Sequence, residues 1–157
     1  MPLTLVLNSH HFLEGVFPGT IQELAGEEVV SQLFRAIRDN GHRILVTDRV
    51  DRRSIKREYV TELRRRGLEG FVPQLQVVFD QLESEDVVVV RSNVARINIP
   101  NLTVRHQIFL EDAVAARVHL FITQNEGWLR LNRDRQICPD LEIMNADQFV
   151  KIAGETS

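Results

Sequence analysis

The sequence predicts an α/β protein with a central, mainly parallel sheet covered by helices on both faces, a three-layer α/β/α arrangement. Short apolar segments alternate with segments whose apolar residues recur at helical spacing. The clearest strand is Asp86 to Arg91, where four consecutive valines are flanked by charges. With 157 residues, 43% hydrophobic and 26% charged, the chain is predicted to form one domain over residues 1–157.

The first half of the chain is predicted to hold two strands and three helices. Leu3 to Leu7 and Arg43 to Thr47 are short and apolar, which is typical of buried strands. Thr20 and Glu23 have the spacing of a capping box that would start the first helix. Glycine indicates two helix ends, at Asn40-Gly41 and at Gly67. Asp48 or Asp51 is predicted to cap the second helix, and the third is predicted to start near Pro73.

The second half of the chain is expected to continue this alternation. A helix from about Val104 to Arg117 precedes a strand over His119 to Thr123. A turn over residues 124–127 leads into a short helix that begins with Trp128. The chain is expected to close with a strand over Leu141 to Met144 and a helix capped by Asn145.

Composition excludes several classes of protein. The only cysteine, Cys138, rules out an internal disulfide and a zinc site built from several cysteines. The net charge of -3 excludes a generic attraction of the whole surface to nucleic acid, but it does not exclude a local basic patch. Met1 to Leu7 is too short for a secretory signal, and no apolar run approaches the roughly 20 residues of a membrane helix. We therefore expect a cytoplasmic protein without a membrane partner.

Polar residues follow two of the predicted strands at the edge where binding sites form. In open α/β sheets, ligands bind beyond the carboxyl ends of the strands. Asn8 follows the first strand, and Asn125 and Glu126 follow the strand that ends at Thr123. Two adjacent histidines, at positions 10 and 11, would point to opposite sides of an extended backbone, which argues against their chelating one ion.

Glu58 stands out among the acids. On a helix it lies about 60° from Ile55, at the border of the buried face. Its neighbours four residues away are Ser54 and Glu62, so it fits the ion-pair pattern of a solvated helix less well, although a solvated helix face stays the alternative. Glu62 with Arg66 does fit such a pair.

Acids from three segments are candidates for a shared site. Glu111 and Asp112 lie within one helix, and Glu126 follows a strand. If they converged with Glu58, their hard oxygen ligands would suit Mg²⁺ or Mn²⁺, which activates water for phosphodiester hydrolysis. The alternative is that these carboxylates are solvated surface groups.

Basic residues are concentrated in one predicted helix and the segment that precedes it. They are Arg49, Arg52, Arg53, Lys56, Arg57, Arg64, Arg65 and Arg66. It is either a phosphate-contacting surface or an exposed face balanced by nearby acids. The residues predicted to bind nucleic acid are Arg52, Arg53, Lys56, Arg64 and Arg65.

The order of these motifs resembles that of a PIN domain. In that family a strand ends in an Asp, a middle helix supplies a Glu, a later helix supplies an Asp, and a Thr-x-Asp strand end precedes a Phe/Trp-Leu segment. The matching segments here are Leu5 to His10, Arg57-Glu58-Tyr59, Phe121 to Leu129 and Leu141 to Phe149, which together span nearly the whole chain.

The resemblance implies a metal-dependent ribonuclease, and many members of the family are toxins held by an antitoxin. It implies a catalytic site of Asn8, Glu58, Asp112, Asn125 and Glu126, with Mg²⁺ or Mn²⁺ on Glu58, Asp112 and Glu126. By the same analogy, RNA, an antitoxin or regulatory protein and a second copy of the chain are the expected partners.

This sequence departs from the family pattern in its acids. Two family aspartates fall on Asn8 and Asn125, and the third acidic position falls on His106, Glu111 or Asp112. Each lost charge removes about 4 kcal/mol of gross attraction to a unit charge about 4 Å away at an effective dielectric of about 20. Three hypotheses stay open: a ribonuclease, a nucleic-acid-binding or regulatory module that has lost the ion, and an unrelated α/β domain that binds a small molecule.

Overall fold

A computed structural model describes residues 2–21, 26–49, 53–95, 97, 107–131 and 140–156. The strands are β1 (Thr4–Leu7), β2 (Arg43–Thr47), β3 (Val88–Arg91), β4 (Leu120–Ile122) and β5 (Glu142–Met144). They form one all-parallel sheet in the order β3-β2-β1-β4-β5. Because all strands run the same way, their carboxyl ends meet at one edge of the sheet, where polar side chains of the connecting segments gather.

Helices cover the sheet and confirm the predicted three-layer α/β/α fold. They are α1 (Ser9–Val16), α2 (Gly26–Asp39), α3 (Ile55–Arg65), α4 (Val72–Ser84), α5 (Ile108–Ala115), α6 (Glu126–Leu131) and α7 (Ala146–Thr156), with a single 3₁₀ turn over Glu69–Phe71. Helix α2 packs on α1 and α7, and α3 packs on α1 and α5. Among the described helices, none has the length and apolar character needed to cross a membrane.

An aromatic stack holds α1, α3 and α4 together over the sheet. The rings of Phe12 and Tyr59 are parallel, with centroids 4.5 Å apart, and Phe79 stacks on Phe12 at 5.4 Å. The buried Tyr59 hydroxyl donates to the Leu7 carbonyl oxygen at 2.7 Å, which satisfies the last peptide group of β1. The stack therefore also fixes α3 against the carboxyl end of the central strand.

Two histidines bracket the start of the central strand. Nδ1 of His42, just before β2, accepts a hydrogen bond from the Leu3 amide at 2.9 Å. Nδ1 of His119, just before β4, accepts one from the Thr4 amide at 3.1 Å. Since β2 and β4 flank β1, the two rings hold the entry of β1 from both sides.

Several boundaries agree with the sequence predictions. Gly41 and Gly67 follow α2 and α3 with φ of 69° and 72°, the left-handed conformation that favours glycine at helix ends. Pro73 lies in the first turn of α4. The Asn145 side chain caps α7 by accepting from the Gln148 amide at 2.8 Å.

The first helical segment differs from the prediction. Residues 9–16, expected to lead into a turn, form α1, so the two adjacent histidines sit on a helix and not on an extended backbone. Among the described residues α2 begins at Gly26, and the Thr20 hydroxyl donates to the Phe17 carbonyl in the preceding turn, so Thr20 does not cap α2. Glu23, its proposed capping partner, lies outside the described residues.

Two further helix starts also differ. Ser54 caps α3 by accepting from the Arg57 amide at 3.3 Å. The predicted cap, Asp48, lies too far before the first residue of α3 to cap it. Its proposed alternative, Asp51, lies outside the described residues. Helix α5 begins at Ile108, while the expected start at Val104 falls in the undescribed part of the chain.

Candidate functional site

The carboxyl edge of the sheet carries two hydrogen-bonded networks. We call the first the asparagine cluster; it consists of Asn8, His10, His11, Thr123, Gln124 and Glu62. The second is the Arg49–Asp112 pair, which forms beyond the end of β2. Between them they contain two of the five residues predicted to be catalytic.

Asn8 uses both ends of its amide within the asparagine cluster. Its Oδ1 caps α1 by accepting from the His11 amide at 3.1 Å, and it also lies 2.8 Å from His11 Nδ1. Its Nδ2 donates to Thr123 Oγ1 at 3.1 Å and to Gln124 Oε1 at 2.6 Å. An aspartate has no hydrogen to donate to these two oxygens. The asparagine at this position therefore joins the ends of β1 and β4 and does not present a free ligand oxygen.

His10 links the asparagine cluster to a buried carboxylate on α3. Gln124 Nε2 donates to His10 Nδ1 at 2.7 Å, and His10 Nε2 lies 3.2 Å from Glu62 Oε1 and 3.1 Å from Arg66 Nη2. Glu62 also accepts from Arg65 at 2.6 Å and from Arg66 at 3.0 Å. Burial raises the pKa of Glu62, but the hydrogen bonds from His10, Arg65 and Arg66 outweigh it and hold that pKa well below its usual range.

His11 is buried without a complete set of hydrogen bonds. Its Nδ1 faces the Asn8 oxygen, whereas its Nε2 has no hydrogen-bond partner among the residues that the structure describes. Burial, followed by the nearby His10 ring, lowers the pKa of His11 from 6.5 to about 4, against a weaker opposing effect of Gln124. The imidazole is therefore neutral at physiological pH.

Asp112 lies at the centre of the second network, and its carboxylate is fully buried. Arg49 binds it in a bidentate manner, with Nη2 2.7 Å from Oδ1 and Nη1 3.1 Å from Oδ2. The Thr47 hydroxyl donates to Oδ2 at 2.5 Å. Only 9% of the Arg49 side chain is exposed, so this ion pair is shielded from solvent on both sides.

Arg49 connects the ion pair to two further chain segments. Its Nε donates to the Val94 carbonyl at 3.0 Å, and its Nη1 donates to the Arg53 carbonyl at 2.8 Å. The Thr47 oxygen in turn accepts from the Ile55 amide at 2.9 Å. The network therefore fixes the residues that lead into α3.

The predicted metal ligands do not fit a divalent ion. Both oxygens of Asp112 already face a guanidinium, and a 2+ ion about 4 Å from it would be repelled by about 8 kcal/mol at an effective dielectric of about 20. In the described ranges, no group of three or more His, Cys, Asp or Glu side chains could hold a metal ion. Glu58, Asp112 and Glu126 therefore do not come together as the metal site that the resemblance implies.

The other predicted site residues have separate surroundings. Glu58 is half-buried in the first turn of α3, and Glu126 is exposed in the first turn of α6. Asn125 Oδ1 accepts from the Trp128 amide at 3.2 Å, so Asn125 serves as the cap of α6. Glu111 is buried, and His106 lies outside the described residues.

The basic residues on and before α3 divide into paired and exposed groups. Lys56 contacts Asp48 at 3.2 Å and also Gln76, and Arg65 is bound to Glu62. Arg53 and Arg64 are exposed, and so is Arg57, which the prediction of nucleic-acid-binding residues omitted. Arg52 lies outside the described residues.

Helical spacing anticipates the Glu62–Arg66 ion pair, which is confirmed. It does not anticipate Arg49 as the partner of Asp112, because the two residues are far apart in sequence.

Comparisons of the chain with protein-family models, curated proteins and solved structures found no match.

Proposed function

We propose that this chain is a PIN-like domain of ribonuclease ancestry that binds RNA without cleaving it, as a nucleic-acid-binding or regulatory module. The bidentate Arg49–Asp112 pair carries the proposal. It places a fixed protein cation on the buried Asp112, one of the three residues to which the resemblance assigns the third acidic position.

A guanidinium neutralises this carboxylate but does not replace the chemistry of a divalent ion. Hydrolysis by a metal ion relies on bound water whose pKa falls towards neutrality. An arginine side chain keeps its proton at physiological pH and offers only N–H donors. Arg49 can therefore stabilise the fold at this edge without generating a hydroxide nucleophile.

The two asparagines support the same conclusion. Asn8 and Asn125 stand where the resemblance places aspartates, and each caps a helix through its Oδ1. The Asn8 amide nitrogen also bonds to the end of β4. Both side chains are thus used to connect and terminate backbone segments, which favours the binding module over the nuclease.

A calorimetric titration with Mn²⁺ and a cleavage assay on mixed RNA test this proposal, with the Glu58→Ala variant in parallel. We expect no metal-binding heat and no cleavage, while an electrophoretic shift shows RNA binding by both proteins. Metal binding and cleavage that both disappear in Glu58→Ala would instead establish the ribonuclease. Absence of RNA binding would contradict the module. The cytoplasmic location, the antitoxin or regulatory partner and the homodimer stay predictions.

A further inference from the structure

Three arginines at and near α3 have exposed side chains. Arg53, Arg57 and Arg64 are exposed, and none of their side chains forms a hydrogen bond or ion pair with the residues that the structure describes. The other described basic side chains of α3 and the residue that follows it are engaged: Lys56 with Asp48, and Arg65 and Arg66 with Glu62. The three free groups are therefore available to an external anion.

The register of α3 aligns two of these arginines. Arg57 and Arg64 are seven residues apart, which is about 20° short of two full turns, so they project from the same face. Their separation along the axis is about 10.5 Å. Thr61 is exposed between them, while Tyr59 and Glu62 are buried on the opposite side.

The backbone of the third arginine is held just before α3 by the Arg49–Asp112 pair. The Arg53 carbonyl accepts from Arg49 Nη1, and Ser54 caps the helix immediately afterwards. Because the Ile55 amide is also bonded to Thr47, the backbone at Arg53 cannot shift without breaking the buried network. Arg49 is thus a positioning residue for the exposed face.

We propose that Arg53, Arg57 and Arg64 form a phosphate-binding row that holds a single strand of RNA by its backbone. This inference rests on the proposed function and names the surface that would perform it. Guanidinium groups bind phosphate oxygens in a bidentate manner. A stacked strand carries one phosphate per about 3.4 Å of axis, so the spacing of Arg57 and Arg64 corresponds to about three nucleotide steps.

The chemistry of this face predicts a binding mode without base readout. The aromatic side chain of α3, Tyr59, is buried, so it cannot stack on a base. The row offers only cations to the phosphates. Binding should therefore depend strongly on salt and weakly on nucleotide sequence.

Fluorescence anisotropy with a labelled oligouridine of about 16 nucleotides, measured over a series of salt concentrations, tests the row. Three phosphate contacts predict that the logarithm of the binding constant falls with the logarithm of the salt concentration with a slope of about -2. Arg57→Gln, Arg64→Gln and Arg53→Gln should each lower the magnitude of the slope by about 0.7 and weaken binding by roughly three- to tenfold at low salt. Arg35→Gln, on the exposed face of α2, is the matched control and should change neither quantity.

The outcomes separate this inference from the proposed function. If RNA binds but the three variants keep the slope and affinity of the original chain, the row is wrong while the RNA-binding module stands. If the original chain binds no RNA, both fail. A DNA strand of equal length should give the same slope, and a different slope would contradict contacts to the backbone alone. Polyglutamate that competes as well as RNA would overturn the assignment to nucleic acid.

Discussion

Arg49 and Asp112 lie 63 positions apart in the chain and form a buried bidentate ion pair, with N–O distances of 2.7 and 3.1 Å. The pair joins the end of β2 to α5 at the carboxyl edge of the sheet. Because Arg49 also donates to the Val94 and Arg53 carbonyls, one side chain connects four segments of the fold. The Asp112 carboxylate is therefore part of the structural framework of the fold.

Removing Arg49 should destabilise the protein strongly. Arg49→Ala leaves the Asp112 carboxylate buried and uncompensated, which costs about 3–5 kcal/mol of unfolding free energy. The exposed pair of Arg43 with Asp86 is the control, because Arg43→Ala should cost less than about 1 kcal/mol. Urea unfolding of both variants measures the difference. Equal and small effects would show that the Arg49–Asp112 pair is not buried in solution.

Replacing Asn8 and Asn125 with the aspartates of the PIN pattern should not create a metal site. Asn8→Asp removes the two donated hydrogen bonds to Thr123 and Gln124, so we expect a loss of about 1–3 kcal/mol of stability. Asn8→Asp combined with Asn125→Asp should still give no Mn²⁺ heat in calorimetry, because Arg49 continues to occupy Asp112. Metal binding by the double variant with Arg49 present would contradict this account. The triple variant with Arg49→Ala shows whether the arginine is the obstacle.

The fold could be predicted because its strands and helix ends are indicated by short stretches of sequence. The valine run predicts β3, and the glycines after α2 and α3 predict the ends of those helices. The sequence pattern does not predict helix α1, because its polar start, from Ser9 to His11, resembles the loop that normally follows a strand. The same pattern makes its cap, Asn8, a candidate catalytic residue.

The site could be predicted only in part, because its contacts are long-range. Helical spacing indicates the Glu62–Arg66 pair, in which the partners are one turn apart. Nothing in local spacing selects Arg49 among the basic residues of this region as the partner of Asp112. Nor does it show that His10 reaches Glu62 from another helix. Such contacts depend on the order of strands, which the sequence pattern leaves open.

Gly15 is required by the close approach of α1 and α2. A Cβ at this position would lie 2.0 Å from Cε2 of the Phe34 ring, which is itself packed in the core. Gly15→Ala should therefore destabilise the protein by about 1–3 kcal/mol, although alanine normally stabilises a helix interior. Gly70→Ala is the control, since its Cβ would meet nothing within 4 Å. A rise in the melting temperature of Gly15→Ala would show that the two helices are further apart than described.

The buried His11 should make stability fall on mild acidification. Its pKa is about 4 in the folded chain and 6.5 when exposed, so the unfolded chain binds more protons between these values. The contribution of neutral His11 is fully present above about pH 6.5 and is lost as the pH falls towards 4, by roughly 3 kcal/mol in total. Glu62 acts in a lower window: because its folded pKa is depressed, its contribution is lost only as the pH falls below the ordinary glutamate value of 4.5.

Urea unfolding at half-unit steps between pH 7 and pH 4.5 distinguishes the two groups, because Glu62 contributes little slope over that range. His11→Gln removes the titrating ring while keeping a polar side chain, and should flatten the dependence on pH in this window. His119→Gln is the control, since that ring is exposed and bonds to the Thr4 amide at the opposite edge of the sheet. His42, whose pKa burial also lowers, keeps its own share of the slope in His11→Gln. A slope in His11→Gln as steep as that of the original chain would contradict a neutral, buried His11.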